Sequence, residues 1–480
     1  MLTYSFEQLE GEPLYEHLYR CIRQDILTGK LAPGEKLPSK RTLARNLGIS
    51  VITVEGAYNQ LTAEGYCESR PRRGYFVVAI PPRNISAGRK AAHANMPKSR
   101  FQAEDMQVID LTASSLRSAD FPFTVWSRLL RQILSQQADK LMERSPGQGI
   151  LELRQAIAGH LQSFRGLNVE PEQIVIGAGT EYLYMLLIQL LGRGKKYCIE
   201  DPGYERIGKI YRANGAECAA IGLDMQGIRP ADLRAEGADV VHISPSHHFP
   251  TGIVMPVSRR YELLDWAAEQ EGRYIIEDDY DSEFRLIGRP ISTLMESDVH
   301  QRVIYMNTFS KSLTPTIRIS YMVLPPTLVQ VFAEKMSCYS CTVANFEQYT
   351  LAKFIGEGYF EKHINRMRTT YRHRRKRFME LLQESPVRDY STLIEHGSGL
   401  HLLLRLAVDE DDSILQAKLL SAGLRIKALS GYYTKKIPQS AIHTFVVNYA
   451  NLEETEIKLA LQRLEAVLLS VSTSRNSVYD

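Results

Sequence analysis

From Val108 onward, short apolar runs alternate with amphipathic stretches of helical spacing; Gln173-Ile174-Val175-Ile176, Val240-Val241-His242-Ile243, Tyr274-Ile275-Ile276 and Val303-Ile304-Tyr305-Met306 are the clearest runs. Parallel strands need long crossovers, and a helix is the usual one. The alternation therefore predicts an α/β fold with a mostly parallel sheet covered by helices. The first 78 residues read differently, dense in helix signals and closing on the strand-like Tyr75-Phe76-Val77-Val78. Between the two textures, residues 79–107 carry three prolines, small residues and mixed charges without a sustained apolar period. That composition behaves as a flexible coil.

A chain of 480 residues exceeds one small domain, and we read residues 1–78 as an N-terminal domain, 79–107 as a linker and 108–480 as a large domain. An apolar fraction of 44% and a charged fraction of 24% exclude disordered and fibrous classes. No N-terminal run has the make-up of a secretory signal, and no run reaches the roughly 18 apolar residues of a bilayer span. A cytoplasmic protein with no membrane partner is expected. The six cysteines lack regular spacing, and the C-x-x-C of Cys338 and Cys341 has no second ligand pair nearby, so no metal is expected.

In the N-terminal domain, Leu14, Leu18, Ile22 and Ile26 recur at helical spacing and predict a helix over Leu14–Leu27. Ser39 is a natural cap for a second helix with Leu43, Ala44 and Leu47 inward, which Gly48 ends. Ser50 caps a third helix to about Glu64, with Val54, Ala57, Tyr58 and Leu61 as its buried stripe. Helix, glycine-containing turn, helix is the pattern whose second helix enters the DNA major groove by its N-terminal end. A hairpin is expected around Arg70-Pro71-Arg72-Arg73-Gly74, with a basic tip that can reach phosphates or the minor groove. The whole chain carries only +3, but from Lys36 to Phe76 seven basic residues face three acidic ones. That local excess points to double-stranded DNA as the partner, with Lys40, Arg41, Arg70, Arg72 and Arg73 as candidate contacts beside Ser50 and Thr53.

In the large domain, Lys311 follows an apolar strand, sits between Ser310 and Ser312, and precedes Arg318 by seven residues. A carbonyl cofactor needs that pair, an amine to form a Schiff base and a fixed cation for its phosphate. Upstream, Glu277-Asp278-Asp279-Tyr280 places carboxylates and a phenol at the C-terminal end of a strand, where open α/β sheets put ligand chemistry. A carboxylate there keeps a pyridine nitrogen protonated, and the tyrosine can hydrogen-bond the phenolic oxygen. Either Asp278 or Asp279 suits the first role, with spacing favouring Asp278. Gly177-Ala178-Gly179-Thr180 turns from a strand into a helix and offers backbone N–H groups to an anion. Tyr204, after Pro202-Gly203, can stack on an aromatic ring.

These motifs carry two resemblances. Leu37-Pro38-Ser39-Lys40-Arg41-Thr42-Leu43-Ala44, Leu47-Gly48-Ile49-Ser50, Thr53-Val54, Ala57-Tyr58 and Glu64-Gly65-Tyr66 resemble the winged helix-turn-helix of the GntR family. The later segments, in their order, resemble fold-type-I enzymes of the aminotransferase class I group, and the whole chain is similar to the MocR/GabR subfamily of regulators. The resemblance implies pyridoxal 5'-phosphate as cofactor, bound as an aldimine to Lys311. It implies a pyridine contact at Asp278, a phenolic contact at Tyr280, ring stacking by Tyr204, and phosphate contacts from Gly179, Thr180, Ser310 and Arg318, with Thr308 nearby. It further implies a homodimer, and an effector that is an amine, an amino acid or pyridoxal phosphate itself. The linker over residues 79–107 is long enough for each head to lie against the partner's large domain, which predicts a head-to-tail dimer with swapped domains.

Departures shape the expectation. An arginine usual after Ser50 is Val51 here; the Asn-Pro-Thr-Gly turn of the enzymes reads His247-His248-Phe249-Pro250-Thr251-Gly252; Ser320 stands where glycine is common. The strand His443–Tyr449 lacks the arginine that grips an amino acid's carboxylate, leaving Arg206 and Arg425 as candidate clamps for an effector. A regulator that is not an enzyme, with at most a residual half-reaction, is therefore the first expectation; a working aminotransferase with an appended DNA-binding head is the alternative.

Overall fold

A computed structural model describes residues 2–4, 6, 13–80, 108–112, 117–286, 291–394 and 399–473. The chain divides into two compact units, Met1–Ala103 and Glu104–Asp480. The segment read as a linker lies outside the described residues except for Ala79 and Ile80.

The smaller unit holds α1 (Leu14–Leu27), α2 (Lys40–Leu47) and α3 (Val51–Ala63), then β1 (Cys67–Arg70) and β2 (Gly74–Val77). Ser39 Oγ accepts the amide of Thr42 and Ser50 Oγ that of Thr53, both at 3.1 Å, so each cap satisfies a helix-end donor. Gly48 ends α2 at φ +67°, a left-handed turn that glycine adopts without steric cost. Leu18, Ile22, Leu43, Val54, Tyr58 and Leu61 are fully buried and form the core. Each stabilises the unit by roughly 1.5–3 kcal/mol. Leu14, expected on the buried stripe, is 41% exposed because it starts α1, a turn ahead of the core residues Leu18 and Ile22. β1 and β2 pair antiparallel with Arg70 opposite Gly74, which makes the wing.

In the larger unit, Ile109–Asp110 forms β3. The main sheet uses β4 (Ile174–Gly177), β5 (Lys196–Asp201), β6 (Glu217–Asp224), β7 (Gly227–Ile228), β8 (Val240–Ile243), β9 (Tyr274–Asp278), β10 (Val303–Thr308) and β11 (Ser320–Val323). Their order is β4-β11-β10-β9-β8-β5-β6-β7. Neighbours from β10 to β6 are parallel, as the alternating sequence predicts. β11 is antiparallel to both β10 and β4, so β4 runs in the same sense as β10. The C-terminal ends of β4, β5, β8, β9 and β10 therefore share one edge of the sheet. Residues of β4, β8, β9 and β10 are buried throughout, as expected of strands covered on both faces.

A second, antiparallel sheet follows, with β12 (Ser391–Ile394), β13 (His401–Leu406), β15 (Lys427–Ala428) and β16 (Thr444–Asn448) in the order β12-β13-β16-β15. β14 (Leu424–Arg425) pairs instead with β3. No helix among the described residues is long and apolar enough to cross a membrane.

Candidate functional site

The shared edge of the main sheet gathers the chemistry. Asp278, the last residue of β9, is buried, and its Oδ2 accepts the Tyr184 hydroxyl at 2.8 Å and lies 3.3 Å from His242 Nε2. His242 Nδ1 in turn sits 2.7 Å from the Tyr211 hydroxyl. Asp278 Oδ1 is buried without a hydrogen-bond partner among the described residues. The neighbouring Asp279 is engaged differently, ion-paired with buried Arg165 and accepting the Tyr305 hydroxyl at 2.9 Å. One of its oxygens is likewise unpartnered, but its charge is neutralised by the guanidinium.

Lys311 lies on the single-turn helix Phe309–Ser312 that follows β10, where Thr308 Oγ1 accepts the Ser310 amide at 3.1 Å. Burial holds the Lys311 ammonium below the usual lysine range, against the opposing pull of the Asp281 carboxylate. Asp281 Oδ2 lies 2.8 Å from His247 Nδ1, which is also 3.2 Å from the Tyr280 hydroxyl. The ring of His401, from β13, packs 4.8 Å from that of His247. Burial first, then the fields of His247 and Lys311, hold His401 well below the usual histidine range. Tyr280 is pushed well above the phenol range by burial and by Asp281 and Asp278. The turn that replaces Asn-Pro-Thr-Gly thus supplies His247 to the tyrosine, while His248 bonds Thr251 Oγ1 at 2.7 Å and lies 3.6 Å from Glu200.

At the β4 edge, Gly179 precedes the helix Thr180–Leu191 with φ +93°. A Cβ there would displace the Arg318 guanidinium, which lies against the start of the helix in the space that glycine leaves open. Arg318 contacts Glu181 and the Ala178 carbonyl, the latter at 3.5 Å. Helix-end N–H groups beside a guanidinium form an anion site. Buried Ser320 donates to Thr308 Oγ1 at 2.8 Å, which gives its hydroxyl a partner. Tyr204 is 45% exposed and meets Phe249 edge-on at 6.3 Å, and Arg206 lies 5.9 Å over the Tyr204 ring. Arg425 is 3.2 Å from Asp110, its ionic partner across the β3–β14 pair.

The sequence reading overlooked Tyr184, His242 and His401. Tyr184 was legible, being four residues past Thr180 on the same helix face. His401 was not, because it arrives from a different sheet.

In the smaller unit, Arg72 and Arg73 occupy the exposed wing tip, with Arg72 in the left-handed region at φ +60°. Arg70 is paired with Glu68 and lies 4.5 Å over the Phe76 ring. Lys40 bonds Glu55 at 2.5 Å, and Arg41 is exposed. The Ser50 and Thr53 hydroxyls lie 2.8 Å from each other, so their first engagement is with the helix cap.

Residues 106–464 match the family described as aminotransferase class I and II, and residues 14–77 match the bacterial regulatory proteins of the gntR family. The helix-turn-helix transcriptional regulator YdeL of Bacillus subtilis is 38% identical over 95% of this chain and 96% of its own. The probable rhizopine catabolism regulatory protein MocR of Rhizobium meliloti is 31% identical over 96% of this chain and 95% of its own. Among solved structures, the kynurenine aminotransferase of Pyrococcus horikoshii superposes with a TM-score of 0.66 at 25% identity, covering 76% of this chain and 92% of the enzyme. A gntR-type head fused to an aminotransferase-type domain defines a class of DNA-binding transcriptional regulators. This chain belongs to that class, the MocR/GabR subfamily of the GntR family.

Proposed function

We propose that the larger unit binds pyridoxal 5'-phosphate at Lys311 and senses an amine, an amino acid or the cofactor itself, and that this state governs DNA binding by the head. The observation that carries the reading is Asp278: a buried carboxylate at the end of β9 with one oxygen held by Tyr184 and the other unpartnered among the described residues, on the same sheet edge from which the Lys311 helix follows β10. A buried acceptor with no donor is costly unless a ligand supplies one. The residues fit the cofactor. When bound, it supplies an aldehyde that condenses with amines and a ring that draws electrons.

Each side chain then has a task. Lys311 offers an amine whose burial favours the neutral, nucleophilic form. Asp278, steadied by Tyr184 and His242, would hold a proton on the pyridine nitrogen. Tyr280 would donate to the phenolic oxygen while His247 orients it. Gly179, Thr180, Ser310 and Arg318 would hold the phosphate, Tyr204 would cover the ring face, and Arg206 is the better-placed clamp for an effector's carboxylate. Any catalysis would be a residual half-reaction, because β16 provides no arginine for a substrate carboxylate.

The test is a borohydride-stable cofactor adduct on Lys311 in the purified protein, absent from Lys311→Ala, with no multiple turnover between amino donors and keto acids. An adduct that persists in Lys311→Ala would refute the lysine assignment, and turnover at ordinary enzyme rates would favour an aminotransferase. We further propose a cytoplasmic, head-to-tail homodimer with swapped domains, following residues 79–107 read as a linker; a stable monomer on sedimentation of the cofactor-bound protein at micromolar concentration would refute it.

A further inference from the structure

The first turn of α3 carries two β-branched apolar side chains, Val51 at 42% and Ile52 at 80% exposure. The head's own packing does not account for them. The buried stripe of α3 is Val54, Ala57, Tyr58 and Leu61, and β-branched residues are no better than average helix formers. A lone exposed apolar residue is ordinary, but two in succession at the leading end of this helix are a different matter. The polar groups around them are engaged with neighbours within the head. Ser50 Oγ accepts the Thr53 amide at 3.1 Å and lies 2.8 Å from the Thr53 hydroxyl, while Lys40 is held by Glu55.

In a helix-turn-helix, the leading end of the second helix meets base edges in the major groove. The apolar feature that a base pair presents there is the C5-methyl group of thymine. The surroundings match duplex DNA in charge as well. Between Lys36 and Phe76 the chain carries seven basic and three acidic residues, with Arg41, Arg72 and Arg73 exposed. We propose that Val51 and Ile52 read thymine methyl groups, so that each operator half-site carries thymine where α3 enters, and discrimination at those positions is by apolar contact. The inference rests on the head being the DNA-binding part and deepens that reading by naming what the helix recognises.

The test uses the full-length protein. Binding sites are selected from a random-sequence DNA duplex library, then each thymidine of the selected site is replaced in turn by deoxyuridine, which removes only the methyl group. Affinity is read by fluorescence anisotropy for the wild type, Val51→Ala and Ile52→Ala. The expected result is a loss of about fourfold at one or more positions per half-site, the factor that burying one methyl group provides. Ile52→Ala or Val51→Ala should bind more weakly and be indifferent to uracil at a position where the wild type is sensitive. Because both side chains are exposed, thermal unfolding of the variants should match the wild type. As a comparison, Arg72→Ala/Arg73→Ala should weaken all sequences alike, lower the salt dependence and keep the uracil sensitivity.

If sites are enriched but no uracil costs the wild type anything, or if both alanine variants lose as much as the wild type at every position, the thymine inference is overturned and the DNA-binding reading stands. If no sequence is enriched and binding shows no salt dependence, both fall together.

Discussion

Consecutive residues at a strand end point to opposite sides, and beyond β9 this separates two adjacent carboxylates. Asp278 keeps one buried oxygen without a partner among the described residues, whereas Asp279 balances Arg165 in the interior. The sequence offered both and could only weigh spacing; what distinguishes them is Arg165, 114 positions upstream of Asp279. Asp278→Asn should leave unfolding nearly unchanged while weakening cofactor retention at least tenfold, read by absorbance after dialysis. Asp279→Asn should destabilise the larger unit by about 3–5 kcal/mol in urea, because it strands a buried guanidinium. Equal behaviour of the two variants would reject the assignment.

Glu200 gives a pH prediction at the same scale. Burial raises its carboxyl from 4.5 to about 8, opposed by the Ser244 amide at 2.9 Å, and burial lowers neighbouring His248 from 6.5 to about 3. The folded protein therefore keeps a proton on Glu200 that the unfolded chain gives up above pH 4.5. Stability from this group falls as pH rises toward 8, whereas the His248 contribution rises from pH 3 to 6.5 and is complete above it. Between pH 6.5 and 8 only the Glu200 effect remains of the two. Urea midpoints of the wild type should fall relative to Glu200→Gln across that interval; parallel midpoints would show that Glu200 is ionised in the folded state.

Elements closed by local chemistry were the most legible. Ser39, Gly48 and Ser50 mark α2 and α3 because each cap satisfies helix-end groups within a few residues, and the wing follows from a Pro-containing turn beside Gly74. The parallel sheet was legible as a class from its alternation, but not its strand order, since β11 inserts between β4 and β10 through pairings that no local pattern encodes. The same limit hid His401, which comes from β13 of the second sheet. The turn from β4 into Thr180–Leu191 is where local and distant signals meet. Gly179→Ala would combine a left-handed φ with displacement of Arg318. We expect at least a tenfold loss of cofactor affinity with unchanged far-ultraviolet circular dichroism; unaltered affinity would mean that this turn does not hold the phosphate.

At the scale of the whole molecule, the chain joins a gntR-type head to a domain of the aminotransferase class I and II family. A ligand shifts a regulator only through different affinities for its DNA-bound and free states. Lys311, the amine of the pocket, should therefore be thermodynamically coupled to a head that it need not touch. The decisive measurement is the affinity of the full-length protein for a selected duplex, read by fluorescence anisotropy with and without pyridoxal 5'-phosphate and then with a panel of primary amines and amino acids. The wild type should change its DNA affinity at least fivefold on adding the cofactor or one of the amines, a coupling of about 1 kcal/mol, and Lys311→Ala should bind the same duplex without that response. Identical DNA affinities of the wild type under every condition, or an equal shift in Lys311→Ala, would contradict the account.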